Sequence, residues 1–363
     1  MKKTSEFLKK VWLGWMITGC FIACEKGPDP IPKSILPGSH GVFILNQGRQ
    51  NANNAGISYY NFETGEFQLD MIAQGEEPLG SIGQDMLIYG SKLYVTVSNS
   101  SNIRVFDLNS HRSLKRIDLF DDQNVPRKPR YLTSYNGNIY ASCYDGHAIR
   151  LDTASLTVNG IVAVGEFPEG IAAYNGKLYV ANSGGESADG PHNTVSVIDL
   201  LAFKNEEPHR ITVGLNPYIL RSDESGSIYL TYQGNFTTVF PGGFQKINTA
   251  DYSVQNLAAS PKQDFVIENG FAYYFDVVYT LESTTDITYG KYDLSGKTVS
   301  SLISDTDAIR NIPFGIGINP YTKDIYIADS DWMNPGKVHI FDSNGKKINE
   351  LNAGINPCKF AFY

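Results

Sequence analysis

One unit recurs along this chain: a strand reading apolar-Tyr-apolar, a second strand ending in Asp, and a Gly and a Pro before the next copy. It reads Lys92-Leu93-Tyr94-Val95 with Val105-Phe106-Asp107, then Asn138-Ile139-Tyr140-Ala141 with Arg150-Leu151-Asp152. It returns as Lys177-Leu178-Tyr179-Val180 with Val197-Ile198-Asp199, as Ser227-Ile228-Tyr229-Leu230, and as Asp324-Ile325-Tyr326-Ile327 with Ile340-Phe341-Asp342. Pro78, Pro129, Pro168, Pro217, Pro313 and Pro357 open the units, roughly 40–50 residues apart or a gap of two such spacings. Four short strands per period of that length build the blade of a β-propeller. The expected fold is therefore all-β and one domain, although 363 residues would accommodate two.

Each unit parses as strand A after the Pro, B with the Tyr, C with the Asp, and D before the next Gly. Six such units are countable, with a degenerate fifth over residues 265–303. The N-terminal stretch supplies three strands, Gly41–Asn46, Ile57–Asn61 and Phe67–Ile72, and lacks an A strand; the last residues, Cys358–Tyr363, supply one strand alone. Together they make a seventh blade, so the expectation is a seven-bladed β-propeller whose last blade is closed by the N-terminal strands plus the C-terminal strand. Such closure leaves no open ends to the ring. The recurring Tyr is expected to pack between sheets, and the recurring Asp to cap the turn after strand C.

Residues 1–23 read as a lipoprotein signal peptide. Lys2, Lys3, Lys9 and Lys10 form a basic start, and Val11 to Ala23 an apolar stretch short for a bilayer span. It ends in Phe21-Ile22-Ala23-Cys24, a lipobox-like pattern that marks Cys24 as the lipidated residue, with Cys20 as the alternative. Residues 24–39 carry Pro28, Pro30, Pro32 and Pro37 and read as a semi-rigid spacer, and residues 40–363 as the propeller. This layout predicts a protein held at the outer membrane by a lipid, facing the cell surface. Of 30 Lys and Arg and 38 Asp and Glu, four lysines and Glu6 leave with the signal, so the remainder has a net charge of −11. That balance, without a basic stripe, argues against a nucleic-acid partner. Cys143 and Cys358 fall on different blades and are expected as buried thiols.

Antiparallel strands alternate in direction, so the B–C and D–A connections emerge at one end of the barrel of blades. The long connections belong to that end: Gln47–Gly56, Ser183–Asn193, Gln233–Gly243, Asp276–Asp286 and Asp329–Gly336. Long loops on a rigid scaffold are where binding resides. This face offers amides and aromatics, and the candidate ligand-binding residues are Asn46, Asn53, Asn99, Tyr144, Asn182, Tyr218, Tyr232, Tyr279, Phe314 and Trp332, with Phe236 nearby. Rigid aromatics with adaptable amides suit a bulky, mostly neutral small molecule. The alternative for each is that it packs one loop on another.

Catalytic signals are absent. The six histidines are scattered, with no HExxH pair, nucleophile elbow or phosphate-binding glycine loop. Asp329-Ser330-Asp331 and Asp305-Thr306-Asp307 lack the Gly and terminal Glu of a calcium loop and read as solvated turns. Arg127-Lys128-Pro129-Arg130 reads as ordinary loop charge. No catalytic residue, metal ligand or cofactor is expected.

Residues Lys177 to Ser183, Thr194 to Asp199 and Val213-Gly214-Leu215-Asn216-Pro217 resemble the YncE-like seven-bladed propellers. Gly41 to Gly48, Ile57-Ser58-Tyr59-Tyr60, Pro313-Phe314-Gly315-Ile316, Asp324 to Asp329 and Gly354-Ile355-Asn356-Pro357 are similar to the Bacteroidetes surface-layer lipoproteins, a group that includes the cobalamin-capturing lipoprotein BtuG. The resemblance covers residues 40 to 363. It implies capture of a corrinoid (vitamin B12) at the cell surface and handover to a TonB-dependent outer-membrane transporter. A propeller scaffold or glycan-binding surface protein is the rival reading, and a propeller enzyme such as a lactonase or quinoprotein a second, for which no metal ligands or cofactor cradle are found.

Overall fold

The computed structural model describes residues 40–363 apart from 73–74, 205–208, 236–240, 259–260, 262, 280–284, 306–308 and 310. The signal segment, Cys24, the proline spacer, Phe236, Thr306 and Asp307 lie outside the described residues. Twenty-eight strands, β1 to β28 in chain order, form seven four-stranded antiparallel sheets, with no helix among the described residues. The innermost strands are β4 (Gly83–Tyr89), β8 (Pro129–Tyr135), β12 (Pro168–Tyr174), β16 (Pro217–Ser222), β20 (Asp264–Glu268), β24 (Ile312–Ile318) and β28 (Pro357–Phe362). Each packs on the inner strands of both neighbouring blades, so the seven close a ring around one axis. The fold is the expected seven-bladed propeller. Its last sheet runs β28, β1 (Gly41–Asn46), β2 (Gly56–Asn61), β3 (Phe67–Gln68), and joins the two chain ends.

The recurring residues do what local chemistry requires. Tyr94, Tyr140, Tyr179, Tyr229 and Tyr326 are all buried in clusters shared between blades. In one such cluster Tyr94, Ile103 and Val105 meet Leu132, Ile139 and Ile149 of the next sheet. The Asp residues cap their turns: Asp107 accepts from the backbone N–H of Asn109 and Ser110 at 3.2 and 2.8 Å, and Asp152 from Ala154 and Ser155 at 3.1 and 2.7 Å. Those bonds to the ionised form hold both carboxyls below the ordinary range. On the face opposite the long loops, Asn136-Gly137 and Asn175-Gly176 have positive φ at both positions, the geometry of a two-residue hairpin turn.

Three expectations need correction. Two outer strands are shorter than the repeat suggests, β3 ending at Gln68 rather than Ile72 and β19 covering only Val254–Asn256, whereas the outer strand β27 (Lys347–Ile355) runs on to Ile355. Three long connections are shorter than read, because the strands flanking them run further than expected, two of the pairs as two-stranded ribbons. The pairing β17 (Ser227–Gly234) with β18 (Pro241–Asn248) reaches Gly234, that of β21 (Phe271–Tyr279) with β22 (Thr285–Asp293) reaches Tyr279, and β25 (Ile325–Ser330) ends only at Ser330. Finally, Pro78 does not open its strand, since β4 begins at Gly83, whereas Pro129, Pro168, Pro217 and Pro357 stand first in theirs.

Cys143 and Cys358 are buried free thiols, as expected. Burial pushes the Cys358 thiol up to about 12 and the Cys143 thiol well above its ordinary value. Since the thiolate is the reactive form, neither should be labelled by a thiol reagent near pH 8 in the native protein. Both should be labelled after unfolding, and peptide mass spectrometry reads the two sites separately.

Candidate functional site

The sequence places a Pro at or near the head of each inner strand, and the residues just after it are the ones that matter. In β8, β12, β16, β24, β4 and β28 the register slips at that end, leaving one or two residues outside the regular pairing. Such bulges bend a strand and re-aim its side chains. The residues within them are Arg130 and Tyr131, Glu169 and Gly170, Tyr218 and Ile219, Phe314, Gln84, and Cys358. A Cβ at Gly170 would lie 2.4 Å from the backbone N of Leu220, so the inner strands approach here as only Gly permits.

Six bulge residues, Gln84, Tyr131, Tyr218, Ile219, Phe314 and Cys358, converge on a pocket of about 130 Å³ at the axis, on the long-loop face. Gln47, Gln263 and Trp332 join from connections, Gln233 from the end of β17, Phe275 and Val277 from β21, and Asp264 and Lys359 from inner strands. The walls are thus aromatic and amide. Tyr131 and Tyr218 meet edge to face, with ring centroids 6.0 Å apart, and Gln84 Nε2 donates to the Tyr131 hydroxyl at 3.2 Å. Trp332 stands edge-on to Phe314 at 4.7 Å and remains 43% exposed.

The Trp332 loop is braced from beneath. The Trp332 backbone N–H donates to Ser330 Oγ at 2.9 Å, and Ser330 Oγ donates to Asn356 Oδ1 at 2.6 Å. Asp331 caps the N–H groups of Met333 and Asn334 at 2.9 and 2.7 Å. Within this frame Trp332 holds φ at +69°, a left-handed conformation costly for a bulky residue. Asp329 and Ser330 are not solvated turn residues but buried strand residues. Asp329 accepts from Lys337 N at 2.8 Å and lies 3.1 Å from His339 Nε2.

Beside the pocket lies a ring of paired charges. Arg130 grips Glu169 with two parallel bonds of 2.9 and 3.0 Å, and donates to Gln84 Oε1 at 2.7 Å. The Tyr144 hydroxyl donates to the same Glu169 carboxylate, and the Tyr144 ring lies under the guanidinium at 4.2 Å. Burial would lower the Arg130 pKa, but the Glu169 carboxylate outweighs it and the net shift is upward. Arg130 is therefore no ordinary loop charge. Across the axis Lys359 pairs with Asp264, which also faces Arg221 at 3.4 Å. Burial raises Asp264, yet those two cations bring it below its usual range. Asp85 accepts from Leu132 N at 2.8 Å and is raised, because burial outweighs the field of Lys359 and Arg221.

The candidate residues separate accordingly. Tyr218, Phe314 and Trp332 line the pocket, and Tyr144 belongs to the Arg130 network beside it. Asn46 and Asn182 are buried with both ends of the amide engaged: Asn46 with Ser58 and the Gly354 N–H, Asn182 with the Gly165 N–H, Thr194 and Ser196. They brace strand ends and lie outside the pocket lining. Asn53 and Asn99 are not among the residues lining the pocket, Asn99 being bonded to Asn51 at 2.9 Å, and Tyr232 packs over Gly214 and Gly243 outside it. Tyr279 ends β21, and its side chain lies outside the described residues. Gln84, Arg130, Tyr131, Glu169, Gln233, Gln263, Asp264 and Lys359 were not among the candidates. The signal for five of them was their place within two residues of the Pro or Gly that opens an inner strand. Among the described residues no group of three His, Cys, Asp or Glu side chains stands close enough to hold a metal ion.

Comparison with solved structures returns propellers. The chain is similar to hydrazine synthase of Kuenenia stuttgartiensis, with 14% identity, 79% of this chain and 92% of that one covered, and a TM-score of 0.62. It is similar to the dihydro-heme d1 dehydrogenase NirN, at 8% identity, 92% and 79% coverage and a TM-score of 0.55. It is also similar to apo AztD of Citrobacter koseri, at 12%, 90% and 98%, and 0.52. At such identities the likeness concerns the fold alone. No curated protein matches the sequence. One family model does match, over residues 40–358 and hence all seven blades, and the chain belongs to that family, the domain of unknown function DUF5074.

Proposed function

We propose that this protein is a non-enzymatic capture protein that holds a planar, amide-rich small molecule over the mouth of the axial pocket. The observation that carries this reading is the Trp332–Phe314 pair. An exposed tryptophan is held in a strained backbone conformation by a braced loop, at the rim of a pocket walled by tyrosines and glutamines. Strain kept at an exposed aromatic is the mark of a surface shaped for something to cover it. At about 130 Å³ the pocket is smaller than the ~300–1,000 Å³ typical of a whole drug-sized ligand, so it admits one arm while the body lies across the loops.

The ligand proposed is a corrinoid of the vitamin B12 type, a flat ring edged with neutral amides. Support comes from the resemblance of this chain's motifs to those of the surface-layer lipoproteins and from the fit of that chemistry to an aromatic and amide wall. A lipid on Cys24 would hold the propeller at the outer membrane facing the cell surface, where a TonB-dependent transporter would receive the ligand. Titration of the purified protein with cyanocobalamin in a calorimeter should give a saturable heat at micromolar concentration, with a change in the corrin spectrum. Neither signal appearing would end the corrinoid reading. The Trp332–Phe314 platform would also stack a sugar ring, and the same titration with oligosaccharides separates the two.

A further inference from the structure

The pocket offers no free charge among the described residues. Asp264 and Lys359 are the charged groups lining it, and they are paired with each other; Arg221 adds a second cation to Asp264. Arg130 and Glu169 nearby are closed on each other. The hydrogen-bonding groups left over are neutral. The Gln47 side-chain amide makes no bond to a described residue. Gln233 uses its oxygen to accept from Asn216 at 3.4 Å and keeps its NH₂ free, and the Trp332 indole N–H is likewise uncommitted among the described residues.

We propose that this pocket is a subsite for an uncharged carboxamide carried on a planar group, and that it rejects the matching carboxylate. The inference rests on the reading of this face as ligand-binding and narrows it to the group that enters. A carboxamide accepts from the Gln233 NH₂ or the Trp332 N–H and donates its own N–H to the Gln47 oxygen, while its planar carrier lies against the Tyr and Phe walls. A carboxylate only accepts, so it can use donors alone and leaves the acceptor side of these amides unused. It finds no free cation to bond, because Lys359 and Arg221 are already engaged with Asp264, and it loses its hydration on entry.

The test uses the purified full chain labelled with ¹⁵N and the indole N–H signal of Trp332, assigned by its loss in Trp332→Phe. Benzamide and benzoate are titrated near neutral pH at constant ionic strength. Benzamide should move the signal saturably in the millimolar range, and benzoate should bind about tenfold or more weakly. Gln233→Lys, which adds a free ammonium at the mouth, should reverse that order. Benzoate binding as well as benzamide in the unaltered protein, or benzamide failing to move the signal up to its solubility limit, overturns the inference. Saturable benzamide binding without cyanocobalamin heat leaves the subsite standing and removes the corrinoid reading. Cyanocobalamin heat with benzoate equal to benzamide does the reverse.

Discussion

Replacing Glu169 by Ala should lower the stability of the propeller by about 3–5 kcal/mol, the range for removing one partner of a buried ion pair. The Arg130 and Glu169 side chains are 13% and 6% exposed, and their two parallel bonds join the inner strands of adjacent blades. Without the carboxylate the guanidinium stays desolvated with only Gln84 as an acceptor, and the Tyr144 hydroxyl loses its partner as well. Arg130→Ala should cost a similar amount for the mirror reason. Replacing both by Met should cost clearly less than the two single losses combined, because no charge is then stranded. Urea and thermal unfolding of the four proteins measure this. Additive losses would mean that the two residues act separately and that the pair is incidental to the ring.

Trp332→Ala should weaken ligand binding by about 2 kcal/mol or more, as for an aromatic anchor at the centre of an interface, with little change in melting temperature. The indole is 43% exposed, its neighbour is Phe314, and the loop is held by Ser330 and Asp331 rather than by the ring. Trp332→Gly should lose binding equally and melt no lower than Trp332→Ala, since Gly accepts the positive φ that Ala does not favour. Calorimetry and thermal unfolding on the same samples decide it. A Trp332→Ala protein that binds normally yet melts much lower would make the residue a packing element, and the ligand would have to sit elsewhere on this face.

Much of the fold was legible because the repeat is local. Each Tyr, Asp and Asn-Gly sits at a fixed place in a unit, and its role needs only the neighbouring strand or turn. The closing blade was legible by subtraction: three strands at one end lacked an inner partner, one strand at the other lacked the rest, and β28 pairs with β1. Strand ends were less legible, as β3 and the ribbon of β21 and β22 illustrate, because how far pairing continues depends on the partner strand.

The site divides along the same line. Trp332, Phe314 and Tyr218 could be reached because an aromatic beside a turn or a Pro stands out in the sequence. Asn46 and Asn182 misled because an amide at a strand end looks the same whether it faces a ligand or, as here, bonds to Ser58, Thr194 and Ser196. The one local mark of Gln84, Tyr131, Glu169 and Lys359 is their place within two residues of the Pro or Gly that opens an inner strand, and Asp264 opens one itself. Strand alternation gives each a side of its own sheet, and the bulges that turn many of them toward the axis break that alternation. By itself, then, the sequence determined seven blades, their closure and the face with the long connections, all of which follow from periodicity and turn chemistry. Only the tertiary structure decided that Lys359 meets Asp264 and that Arg130 meets Glu169. Those partners stand 95 and 39 residues apart and are brought together solely by closing the ring of inner strands around one axis.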